Sequence, residues 1–178
     1  MTKTFCVFGD SVTQAAYIPE NWVNQLRRYL ENKYRDDFIE VFNLGIGGNT
    51  TPDILKRFEN EASARNPNFL IFAVGINDTK YTQPSNFKTN LLKLIMLAKK
   101  DTREIFFVGL VLGDWTGDEP FSQKKTNNFN QILKETADTT GVNFIDLQGV
   151  LTPNDFSDGL HPNVEGHKKM FETIKTEF

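Results

Sequence analysis

The chain holds two histidines, His161 and His167, so chemistry that needs a histidine base runs through one of two places. His161 has a carboxylate three residues before it, in Asp158-Gly159-Leu160-His161-Pro162. A tight glycine-containing turn lets both side chains face one partner. That partner is Ser11, in Gly9-Asp10-Ser11-Val12, which directly follows a short apolar run. A serine hydroxyl is a weak nucleophile until a base takes its proton, and the base needs a carboxylate to hold its tautomer. Acyl transfer further requires donors for the oxygen that becomes negative. The glycines at 45, 47 and 48, in Asn43-Leu44-Gly45-Ile46-Gly47-Gly48-Asn49, can bring a backbone N–H up to a ligand because they lack Cβ. Asn77, in Gly75-Ile76-Asn77-Asp78, offers a side-chain amide. Together these are the parts of a serine esterase.

Other candidates read differently. His167 falls at helical spacing with Val164, Phe171, Ile174 and Phe178, so it is expected to pack on a helix face. Asp10 and Asp78 are expected to be structural carboxylates bonding nearby backbone N–H groups. Cys6 lies inside an apolar run and is expected to act as a small core hydrophobe. Gly45-Ile46-Gly47 is not a dinucleotide fingerprint, since the third glycine is missing and the segment follows the second strand, not the first. The nucleophile elbow Gly-x-Ser-x-Gly is also absent, because Thr13 stands at its fifth position.

These residues need a scaffold that brings distant loops together. Short apolar runs at Phe5–Phe8, Phe38–Phe42, Phe69–Val74, Ile105–Val108 and Val142–Ile145 read as strands. Between them lie amphipathic stretches marked by Trp22, Leu26 and Leu30; by Ile54, Leu55 and Phe58; by Leu91, Leu94 and Ala98; by Phe129, Leu133 and Ala137; and, last, by the stripe that includes His167. Thr51 is the expected N-cap of the second of these, with Pro52 at its first position. Strand and helix alternate five times, which predicts a parallel sheet covered on both faces. In such a sheet, sites form at the carboxyl ends of the strands, and Ser11, Gly45, Gly47, Gly48, Asn77, Asp158 and His161 all follow strands. Residues 112–123 form the longest stretch without periodicity. There Trp115 is a candidate substrate-binding residue, and Asp114, Asp118 and Glu119 make the stretch acidic, a mild lean towards small or carbohydrate esters.

Composition sets outer limits. With 178 residues, one domain is the default. Sixteen Phe, two Trp and four Tyr stock a core and argue against disorder. One cysteine rules out a disulfide within the chain and any multi-cysteine metal site. Twenty basic against 23 acidic residues, with no basic stripe, argue against a nucleic-acid partner. No apolar stretch approaches the roughly 20 residues of a membrane span. The first eight residues hold too short an apolar run for a signal-peptide core, so a cytoplasmic location is expected.

Taken together, the blocks Gly9-Asp10-Ser11-Val12, Gly48-Asn49-Thr50, Gly75-Ile76-Asn77-Asp78 and Asp158-Gly159-Leu160-His161-Pro162 resemble the SGNH hydrolases, the GDSL esterase/lipase family. They occur in that family's order and span residues 9 to 163. The resemblance implies a single domain over residues 1–178, a three-layer α/β/α sandwich with a five-stranded parallel sheet of flavodoxin-like topology. It implies Ser11 as nucleophile, with Asp158 and His161 completing the triad. It further implies an oxyanion hole from the Ser11 and Gly48 N–H groups and the Asn77 amide, a small-molecule ester as substrate, and neither metal nor cofactor. Val12 in place of the family's leucine is the one departure, an aliphatic exchange with no chemical consequence. An acyltransferase, a non-catalytic binder of acylated sugars, and a lysophospholipase or thioesterase share the same blocks and stay open at this stage.

Overall fold

The computed structural model describes residues 1–99, 104–112 and 121–178. Five strands form one parallel sheet: β1 (Thr2–Gly9), β2 (Phe38–Gly45), β3 (Phe69–Ala73), β4 (Glu104–Val108) and β5 (Asn143–Ile145), in the order β2-β1-β3-β4-β5. This is the flavodoxin-like order, with its reversal between β1 and β3. The helices are α1 (Ser11–Gln14), α2 (Trp22–Lys33), α3 (Thr51–Arg65), α4 (Asp78–Tyr81), α5 (Pro84–Ala98), α6 (Gln123–Thr140) and α7 (Val164–Ile174). None of them is long and apolar enough to cross a membrane.

The strands are apolar on both faces because both faces are covered. Cys6, Phe8, Leu70, Phe72, Ile105 and Phe107 pack against α3, α5 and α6. The alternate residues Phe5, Val7, Ile71, Phe106 and Val108 pack against α2 and α7. A row of rings runs through the first layer, with Phe8, Phe58, Phe72 and Phe107 in successive contact. On the second face Phe178 closes over Phe5 and Phe106.

Several boundaries differ from the sequence expectation. The N-cap of α3 is Thr50, not Thr51: its N–H and hydroxyl both donate to Asp53 Oδ2, at 3.1 and 2.6 Å. Thr51 is the first helical residue instead, because its hydroxyl turns inward to Asp78 Oδ1 at 2.6 Å. Val164 opens α7 but is exposed, and Phe178 lies beyond a 3₁₀ turn at Lys175–Glu177, so neither belongs to the helix stripe as expected. Two helices, α1 and α4, had no periodic signal, since four residues make about one turn.

Candidate active site

The carboxyl ends of β1, β2 and β3 and the loop after β5 converge. The chain leaves β1 at Gly9 and enters α1 at once, with Asp10 as N-cap; Val12 N–H donates to Asp10 Oδ1 at 2.9 Å. This puts Ser11 at the first position of a helical turn seated on the sheet edge. Glycines make the seating possible. A Cβ on Gly9 would run into Thr13 and the Ala73 carbonyl, and one on Gly45 would run into the Thr13–Gln14 backbone. α1 therefore lies closer to β1 and β2 than any side chain there permits.

Asp158 and His161 come from the loop that leads into α7. Gly159 takes a φ of +80°, which closes the turn. Asp158 Oδ1 accepts from the backbone N–H groups of Leu160 and His161, at 3.0 and 2.7 Å. Its Oδ2 lies 2.7 Å from His161 Nδ1, and His161 Nε2 lies 3.0 Å from Ser11 Oγ. With Nδ1–H donated to the carboxylate, Nε2 is left to accept the serine proton. Partial burial raises the Asp158 pKa, but the hydrogen bonds from the His161 N–H and ring and from Leu160 outweigh it and hold the carboxyl below its ordinary range. The loop is fixed at both ends: Ser157 N–H donates to His161 O and Asn163 N–H to Asp155 O, both at 2.8 Å. Asp155 is in turn clamped by Lys169 at 2.8 Å, which pulls its pKa down to about 2.

The glycine-rich loop after β2 resolves into distinct roles. The Gly45 N–H is used by Asn43 Oδ1 at 3.0 Å and the Gly47 N–H by Gln14 Oε1 at 2.9 Å, so neither is a free donor as the sequence suggested. Among the described residues the Gly48 N–H donates to no protein acceptor, and neither does that of Ser11. Gly48 has φ +79°, a conformation that side chains resist. Asn77 is 8% exposed and donates through Nδ2 to Asn49 O at 3.1 Å, which brings its amide against the Asn49–Thr50 peptide, one residue past Gly48.

Two residues support this loop from behind. Asp78 is fully buried and accepts from Thr51 N–H and hydroxyl, tying α3 to α4; burial raises its pKa. Arg57, on α3, was missed by sequence reasoning. Its guanidinium donates to Asn49 Oδ1 (3.0 Å), Leu44 O (2.7 Å), Glu61 Oε2 (2.7 Å) and Gly9 O (3.5 Å). A charged residue beside an apolar stripe carries no sequence mark that separates it from a solvated one. Trp115 lies outside the described residues.

A cleft of about 510 Å³ opens on Ser11 and His161, with Val12, Ala15, Ile18 and Pro162 among its walls. Such a cleft, beside a serine with a histidine at hydrogen-bond distance, suits acyl transfer.

Residues 7–169 match the model of the GDSL-like lipase/acylhydrolase family. The chain belongs to that family. As a member it is a carboxylic ester hydrolase. It is 25% identical over 157 residues to an acetylxylan esterase of Geobacillus stearothermophilus, covering 78% of this chain and 71% of that protein. It is also 25% identical, over 181 aligned positions, to an isoamyl acetate-hydrolyzing esterase of Schizosaccharomyces pombe, covering 94% and 72%. The fold of the Geobacillus acetylxylan esterase superposes with a TM-score of 0.86 at 22% identity, over 98% of this chain and 93% of that one. An α/β hydrolase from the metagenome of Lake Arreo, Spain, gives 0.85 at 18%, over 98% and 94%.

Proposed function

We propose that this acylhydrolase cleaves small carboxylic esters, with short acyl groups such as acetate on carbohydrate alcohols, through a Ser11-His161-Asp158 triad. The observation that carries the proposal is the unbroken hydrogen-bond chain from Asp158 through His161 to Ser11 at the mouth of the cleft. His161 takes the Ser11 proton as Oγ attacks the ester carbonyl. The N–H groups of Ser11 and Gly48 and the Asn77 amide hold the oxyanion. His161 then protonates the leaving alcohol, an acyl-enzyme forms, and water releases the acid by the same steps in reverse. Asp158 keeps the imidazole in its working tautomer throughout. The acetate esters named for both relatives support the short acyl group. On this reading residues 1–178 act as one domain.

The test is Ser11→Ala and His161→Ala, assayed on p-nitrophenyl acetate. Each should lower kcat by at least about 1000-fold with the fold intact by circular dichroism. Substantial turnover left in either variant removes the triad.

A further inference from the structure

His167 is the histidine that the proposed mechanism does not use. Its side chain packs in the core as the sequence suggested, and the residue is only 1% exposed. Yet it is also one of the walls of the cleft that opens on Ser11 and His161. The Trp22 N–H donates to its Nδ1 at 3.4 Å. That contact requires a lone pair on Nδ1, so in the neutral ring the proton sits on Nε2. Burial lowers the pKa of this ring to about 4, so it stays neutral in the working range. Among the described residues, no protein acceptor meets Nε2–H. Nε2 is not one of the fully enclosed unpaired polar atoms, so this donor opens onto the cleft, where a ligand oxygen can take the place of water.

The cleft holds one part of the ester, and the geometry indicates which. His161 is in its wall and must reach the leaving oxygen. Gly48 and Asn77, the proposed holders of the carbonyl oxygen, are not in its wall. The alcohol therefore projects into the cleft, between Val12, Ile18 and Pro162 and towards His167. Val12, Ile18 and Pro162 are apolar, and although Gln14, Tyr17 and Ser157 also line the cleft, a ring N–H placed among the apolar residues selects by hydrogen bond as well as by shape.

We infer that His167 is a specificity residue, whose Nε2–H binds an acceptor oxygen of the alcohol moiety and so favours oxygen-bearing alcohols such as sugars over hydrocarbon ones. The inference rests on the ester-cleaving roles proposed for Ser11 and His161.

Two acetates of matched ring size separate the cases: a methyl xyloside monoacetate and cyclohexyl acetate. The quantity read is the ratio of their kcat/KM values. The wild-type ratio should favour the sugar. His167→Phe keeps a ring but no donor, and should lower the ratio about tenfold. His167→Gln offers both an acceptor for Trp22 and a donor for the cleft, and should hold the ratio within about threefold of wild type. An unchanged ratio in His167→Phe overturns the inference. Should that variant fail to fold, the imidazole ¹⁵N spectrum of the wild type decides. Methyl xyloside should move the His167 Nε2 signal and cyclohexanol should not; a signal unmoved by the sugar, or a proton found on Nδ1, overturns it. A wild type that cleaves neither acetate nor p-nitrophenyl acetate refutes the proposed action on small acetate esters, a failure separate from a flat ratio in an active enzyme.

Discussion

Asn77 is held ready by its own neighbours: β3 ends just before it, its backbone starts α4, and its amide is fixed on Asn49 O. A donor fixed beforehand stabilises charge in the transition state without reorganising. If Asn77 fills the oxyanion role proposed for it, Asn77→Ala should lower kcat about 100- to 1000-fold and change KM little. Steady-state kinetics on an aryl acetate read this directly, and a loss confined to KM would assign Asn77 to ground-state binding. Ser11, His161, Asp158 and Asn77 could be singled out in the sequence because acyl transfer demands those residue types; the roles given to them are those proposed above. The glycines were legible only as a group. The Gly45 N–H is taken by a local side chain, Asn43, two residues before it, but nothing in Gly45-Ile46-Gly47-Gly48 tells that the Gly47 N–H is used by Gln14, an acceptor that only the fold brings near. His167 shows the same limit. Its helix spacing predicted burial, but one buried ring can both pack on Trp22 and line a cleft.

Arg57 belongs with the elements it joins. It links α3 to the end of β1, the end of β2 and the loop at Asn49 through three acceptors, is braced by Glu61 on its own helix, and its guanidinium lies over the Phe8 ring at 5.4 Å. Arg57→Ala should loosen the loop that carries Gly48, lowering kcat about tenfold and stability by about 2 kcal/mol. Arg57→Lys should recover little, because an ammonium cannot span acceptors arranged for a planar fork. Kinetics paired with thermal melts check this; a melting loss with unchanged kcat would leave Arg57 a stabiliser only. The long elements were legible because the buried strands are continuous apolar runs and the helices carry an apolar stripe of period 3.6. α1 and α4 escaped because one turn has no period, and Thr51 was misread because its hydroxyl had a better partner in Asp78 than in its own helix.

Stability against pH is a property of the molecule as a unit, and two buried groups set opposing slopes. Burial raises the Asp10 pKa to about 7, assisted by the nearby Asp78 charge. A carboxyl raised on folding stabilises most below its unfolded pKa, and that stability is lost as pH climbs through 7. His167, lowered to about 4, behaves in the opposite sense: its contribution is complete above its ordinary 6.5 and is lost as pH falls through 4. Between about pH 4 and 6.5 the two slopes, each about 1.4 kcal/mol per pH unit, cancel. Asp10→Asn keeps the acceptor for Val12 N–H and removes one slope. Relative to wild type it should gain about 1.4 kcal/mol per unit as pH rises from about 4 to 7. Urea midpoints of both proteins at pH 4.5 and 6.5 measure the difference, and parallel curves would refute it. The hydrogen bond from Ser11 to His161 joins residues 150 apart, and contacts so distant in sequence must overcome a large loop-closure entropy. Under the proposed mechanism, Ser11 has ordinary alcohol reactivity until the loop before α7 docks. Regained activity on refolding then reports closure of nearly the entire chain, and a nascent chain still lacking that loop is catalytically silent.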